Sequence, residues 1–105
     1  MRSTRVALYD IKSGTFDEMI SKAEAGMVPL FQDSDGFVSY GVAQVDTDAF
    51  ISLSTWETRA QADAATTKAA DWVAANAKED FTLRNSYVGD LAIDAGTPAQ
   101  APIAH

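Results

Sequence analysis

The sequence predicts an α+β domain: four antiparallel strands in one sheet, with two helices covering one face. Three observations predict it. Short segments rich in β-branched and aromatic residues alternate with longer segments of helical period, in the order strand, helix, strand, strand, helix, strand. The two middle strands are separated only by Asp46-Thr47-Asp48, which is too short for anything but an antiparallel hairpin. A capping-box pattern stands before each helical segment and marks where strand gives way to helix.

Each element has its own justification. Arg5–Ile11 reads as the first strand, with Val6, Leu8 and Asp10 on one face and Ala7, Tyr9 and Ile11 on the other. Lys12-Ser13-Gly14 breaks it, and Thr15-Phe16-Asp17-Glu18 opens a helix whose buried stripe is Phe16, Met19, Ile20, Ala23 and Met27. Gly26 and Pro29 predict a kink or break near Gly26–Val28, because proline lacks the N–H and crowds the preceding turn. Asp33-Ser34-Asp35-Gly36 is a turn cluster. The second and third strands span Phe37–Val45 and Ala49–Glu57. Thr58-Arg59-Ala60-Gln61 caps a second, alanine-rich helix with Ala65, Ala69, Trp72 and Val73 facing the sheet. The last strand covers Phe81–Ile93, with Gly89 marking a bulge. Residues 1–93 therefore form one domain, and the Ala-, Pro- and Gly-rich stretch 94–105 reads as a tail. Right-handed crossovers around a central hairpin make this the ferredoxin-like βαββαβ arrangement.

Composition bounds the function. Hydrophobic residues make up 47% and charged residues 22% of 105, which is ordinary for one globular domain. A net charge of -7 argues against nucleic acid and against an anionic membrane surface. The chain has no cysteine, so disulfides, thiolate metal sites and a Cys nucleophile are excluded. Its one histidine is the last residue, a poor place for a metal ligand or a general base. The opening MRSTRVALYDI is too short and too polar for a signal peptide, so the expected location is cytoplasmic. No Gly-rich phosphate loop or nucleophile elbow is present.

The strands carry apolar residues on both faces, for example Ile51 and Leu53 against Phe50 and Trp56. Two helices cover only one face, and a bare second face would leave a large apolar patch. The economical cover is a second copy of the same sheet, which predicts a homodimer through the open sheet face.

The Pro-Leu-Phe-Gln and Asp-Gly-Phe-Val-Ser-Tyr segments, the Ser-Leu-Ser-Thr-Trp-Glu-Thr corner, the alanine-rich helix and the closing Asn-Ser-Tyr-Val-Gly-Asp-Leu resemble the antibiotic biosynthesis monooxygenase family over roughly residues 5 to 93. The resemblance implies a dimeric α/β barrel, made of two paired sheets, with a ligand cavity between sheet and helices in each subunit. It implies oxidation of polyketide aromatics or quinols by dioxygen without metal or flavin; other members degrade haem. The haem-degrading branch uses an Asn on the first strand and a Trp and a His on the second helix. This chain has no such Asn or His, and Trp72 lies later than the expected position near Ala65, so haem degradation is rejected.

Candidate residues carry a structural and a functional reading. Trp56 reads first as a post sealing the corner between sheet and helix, and only second as a catalyst. Trp72 reads as core, or as a cavity wall on which a planar ligand stacks. Tyr40 and Asn85 are candidate donors to an oxyanion, as are Arg84 and Gln44; Tyr9 and Tyr87 are strand tyrosines of the same type. Arg84 and Asn85 fall on opposite faces unless the strand bulges. Asp10 is either a buried base or an exposed strand-end carboxylate. Ser52 and Ser54 lie on the side of Phe50 and Trp56, where small polar groups suit a pocket floor. The expected catalytic set is thus Tyr40, Asn85 and Asp10, the expected cavity lining is Ser52, Ser54, Trp56, Trp72 and Tyr87, and no metal or cofactor is expected. The leading expectation is a cofactor-independent monooxygenase for a small apolar aromatic or quinol. The alternatives are a non-catalytic ligand-binding or structural dimer and, more remotely, an isomerase.

Overall fold

The structure is a computed structural model that describes residues 1–95; the predicted tail beyond Ala95 lies outside the described residues. The elements are β1 (Ser3–Ile11), α1 (Phe16–Gln32), β2 (Phe37–Asp46), β3 (Ala49–Trp56), α2 (Arg59–Asn76) and β4 (Phe81–Asp90). They form one four-stranded sheet in the order β2-β3-β1-β4, with every neighbouring pair antiparallel. This is the βαββαβ, ferredoxin-like α+β fold predicted from the sequence.

Both helix starts form as the sequence dictates. Thr15 accepts from the Glu18 N–H at 3.2 Å while the Thr15 N–H donates to Glu18 at 2.8 Å. Thr58 and Gln61 make the same reciprocal pair at the start of α2. These bonds satisfy N–H groups that a helix start otherwise leaves free.

One expectation is corrected: α1 runs unbroken through Gly26 and Pro29. The carbonyl that loses its partner to Pro29 belongs to Ala25, and both residues lie on the exposed side of the helix, where water can serve it. Gly26 has a different role. A Cβ there would come within 2.5 Å of the Trp72 indole, so the glycine lets α1 and α2 approach. The buried stripe of α1 is Met19, Ala23, Met27 and Phe31. Along α2 the buried residues are Ala62, Ala65 and Ala69, while Trp72 and Val73 are half-buried against the same core.

Strand parity sets the two faces. On β1, Ser3, Arg5, Ala7 and Tyr9 are buried under the helices, and Thr4, Val6, Leu8 and Asp10 look to the open face. On β3 the residues buried under the helices are Phe50, Ser52, Ser54 and Trp56, and Ala49 at the strand start is buried as well. Phe37, Tyr40 and Val42 of β2 pack against this core. The irregularity in β4 falls at Arg84 rather than at Gly89, because the partner of β1 steps from Asn85 at Leu8 to Leu83 at Tyr9. The strand also ends at Asp90, short of the expected Ile93.

Between sheet and helices lie two aromatic clusters. Tyr9 stacks on Phe50 at 5.0 Å, and Phe81 meets both edge-on. At the other end Phe31 meets Tyr40 and Trp56 edge-on, and Phe37 closes on Trp56. Edge-to-face and offset-stacked pairs are the favoured geometries for such rings.

Candidate functional site

The site begins with one residue of β1. Arg5 shares the inward parity of Ala7 and Tyr9, so the strand carries a guanidinium under the helices, and it is only 1% exposed. Its Nε donates to Thr66 Oγ1 at 3.1 Å and one terminal nitrogen donates to the Tyr9 hydroxyl at 3.3 Å. The Thr66 hydroxyl in turn donates a hydrogen bond to the Ala62 carbonyl. Among the described residues no carboxylate pairs with Arg5. A buried charge without a counter-ion costs on the order of several kcal/mol, so its retention needs a reason.

Arg5 borders a cavity of about 320 Å³ between β1, the start of β4 and the second half of α2. The polar lining is Arg5, Tyr9, Lys12, Thr66, Lys78 and Thr82. The apolar lining is Ala70, Val73, Ala74, Phe81 and Leu83. Sequence explains the space: α2 lies close to the sheet through Ala62, Ala65 and Ala69, and the short side chains of Ala70 and Ala74 leave the room beyond. Three of the eight Lys and Arg residues in the chain line this cavity, and none of its 15 acids does. The volume is at the low end for small-molecule sites, which suits one or two fused rings.

None of the eight residues named from sequence as catalytic or cavity-lining borders this cavity. Tyr40 lies on the inner face of β2 and borders a separate cavity of about 300 Å³ beside α1, with Ile20, Ala23, Val28 and Val42. Burial pushes its phenol above the usual range, partly offset by a hydrogen bond with Ser52, so at neutral pH it is a donor and not a base. Ser54 accepts the Trp56 indole N–H at 2.9 Å. Ser52 and Ser54 therefore satisfy the polar tips of two aromatics. Trp56 itself is 1% exposed between Phe31 and Phe37, the corner post of the core. Trp72 fills the contact with Gly26.

The other three lie on the open face. Asn85 stands opposite Leu8 and Tyr87 opposite Val6, and Tyr87 is 64% exposed. Asp10 is held by Arg84, whose Nε donates to Oδ2 at 3.0 Å while a second N–H reaches the other oxygen. Those hydrogen bonds hold the Asp10 carboxyl below the usual carboxylate range, so the buried-base option for Asp10 is corrected to an ionised surface partner. The Arg84 irregularity also places Arg84 and Asn85 on one face, the condition the strand alternation had left open. Gln44 is exposed on β2. Among the described residues no cluster of three or more His, Asp or Glu could hold a metal ion, and no helix is long and apolar enough to cross a membrane.

Sequence reasoning missed Arg5, Lys12, Thr66 and Lys78. The signal for Arg5 was its parity: it shares a face with Ala7 and Tyr9. Lys12, Thr66 and Lys78 carry no comparable signal.

Comparison with known proteins fits this architecture. The family profile for antibiotic biosynthesis monooxygenase matches residues 3–78. SnoaB, a cofactor-independent oxygenase from Streptomyces nogalater, superposes with a TM-score of 0.67 at 13% identity, covering 92% of this chain and 97% of its own. A protein of unknown function from Nitrosomonas europaea gives a TM-score of 0.73 at 15% identity over 91% and 94% of the two chains. A Chloroflexus aurantiacus protein assigned to the same monooxygenases gives 0.67 at 19% identity over 91% and 98%. At these identities the structural likeness carries the fold. No curated protein matches the chain. With the profile covering well over half of its length, the chain belongs to the antibiotic biosynthesis monooxygenase family.

Proposed function

We propose that this chain is a cofactor-independent monooxygenase that takes a small phenolic or quinol-type aromatic into the Arg5 cavity. The observation that carries the proposal is the buried guanidinium of Arg5, which has no carboxylate partner among the described residues and borders an otherwise largely apolar space. A phenol or enol bound there loses its proton more readily, because the anion gains a full positive charge from a side chain that is itself buried. The resulting electron-rich ring can reduce dioxygen. In the balanced step the ring carbon para to the phenolate exchanges its hydrogen for oxygen and becomes a carbonyl. One atom of dioxygen enters the ring, the other leaves as water formed with the ring hydrogen and one proton taken back from solvent, and four electrons pass from substrate to oxygen. Tyr9 and Thr66 keep the guanidinium in place, and the proton released on binding leaves through the solvent-exposed end beside Lys12 and Lys78.

SnoaB is described as a cofactor-independent oxygenase, and the shared fold supports the same class of chemistry here. The test is oxygen uptake by purified, metal-free protein with a panel of naphthols and other one- and two-ring phenols that carry a hydrogen at the para carbon. The expected outcome is turnover of at least one, with one oxygen consumed per product. Folded protein that turns over none of the panel would overturn the proposal.

One observation favours a second reading, a non-catalytic binding module: the lining holds no carboxylate or imidazole to accept a proton. The same assay separates the two, since a binding module would bind the panel without consuming oxygen. The reading includes a homodimer through the open sheet face. It is supported by the exposed Leu53, Tyr87 and Val45 there, at 40%, 64% and 54%. Sedimentation as a monomer at micromolar concentration would overturn that part.

A further inference from the structure

The cavity has two differently charged ends. Arg5 and Tyr9 are buried at the inner end, at 1% and 4% exposure, whereas Lys12 and Lys78 are exposed at the outer end. We propose that the natural ligand is an aromatic acid: its reactive oxygen lies at Arg5, and a carboxylate at the opposite end of the ring system is held by Lys12 and Lys78. The inner assignment rests on the oxygenase reading; the outer one does not.

The Lys12 ammonium donates to the Lys78 main-chain carbonyl at 3.1 Å, which fixes it at the mouth beside the end of α2. An ammonium has three N–H donors, so this bond leaves two free. The neighbouring acid, Asp80, is taken by Lys22. Neither Lys12 nor Lys78 has a carboxylate partner among the described residues. In a chain of net charge -7, bringing two cations to the mouth of an apolar cavity, with a third at its base and no acid in its lining, creates a local field for an anion. A phenol without a carboxylate would use Arg5 and the walls at Val73, Phe81 and Leu83, and would leave Lys12 and Lys78 without an anionic partner. The apolar walls between the two ends fit the ring system of one molecule that carries both groups.

The test is calorimetric binding of a hydroxynaphthoate whose hydroxyl and carboxylate sit at opposite ends, against the matching carboxamide. The expected result is about tenfold or stronger preference for the acid, the scale of hydrogen bonds to a charged group. In the double variant Lys12→Gln, Lys78→Gln that preference should fall to within about twofold. Both lysines are exposed, so the variant is expected to fold as the natural chain does. Equal affinity for acid and amide, no binding of either, or a full preference retained in the double variant would each overturn the proposal; the last would place the carboxylate on Arg5. Oxygen uptake does not enter this measurement, so a failed oxygenase reading and a failed carboxylate assignment give different results.

Discussion

Arg84 and Arg5 lie on opposite faces of the same sheet and show what each face is for. Arg84 sits on the open face, half-exposed, in a bidentate pair with Asp10. Water can replace that partner at small loss, so the pair contributes little and needs no further explanation. Arg5 is sealed under α2 with two hydroxyls and no carboxylate among the described residues. There the loss of hydration is not repaid within the fold. The same side chain is therefore structural decoration on one face and a functional candidate on the other. Burial without a counter-charge makes the difference.

Trp56→Ala removes the corner post and should cost ~3–5 kcal/mol in denaturant unfolding, since the ring is enclosed by Phe31 and Phe37. An unchanged midpoint would move Trp56 out of the core. Arg5→Met should lower oxygen uptake by about a hundredfold or more. The same change should leave stability unchanged or raised by about 1–2 kcal/mol, because it deletes a buried charge and keeps the volume. If it lost several kcal/mol instead, Arg5 would be a structural member of the core and its functional role would fail. Gly26→Ala should cost about 1–3 kcal/mol through the clash with Trp72. Pairing it with a smaller residue at Trp72 should recover part of the loss, a double-mutant test of the helix contact.

Asp10→Asn should have the smallest effect. Its folded-state pKa is depressed, so its contribution is present above the unfolded carboxylate value and is lost as pH falls through the lower folded one. The natural chain should thus be slightly more stable than Asp10→Asn at neutral pH, and the difference should shrink as pH falls below about 4. Tyr40 has the opposite sign. Burial raises its pKa, so its contribution is full below about pH 10 and is lost as pH climbs through the raised value, which Tyr40→Phe should abolish.

Much of the fold was legible residue by residue. The capping boxes at Thr15 and Thr58 were written in the sequence because they are local, and local bonds form wherever the spacing is right. The helix break at Pro29 was misread because the cost of a proline depends on whether its orphaned carbonyl meets water, and sequence does not say which side of the helix that is. The site was legible only in part. Ser52 and Ser54 were correctly placed on the inner face, but whether a small polar group floors a cavity or serves a neighbouring aromatic depends on how the side chains around it pack, as with Trp56 on Ser54. Arg5 was hidden in plain view, because a charge at the start of a strand is usually solvated and only the length of β1 brings it under α2.

The sequence by itself determined the element order, the hairpin, both helix starts and the division of the strands into two faces, since each depends on spacing along the chain. Only the tertiary structure decided that α2 lies low enough to bury Arg5 yet leaves a space beyond Ala70 and Ala74, and that the Lys12 ammonium reaches the Lys78 main-chain carbonyl at its mouth. Cavities and charge clusters are properties of packing between segments distant in sequence. No local rule fixes them until the sheet and helices have met.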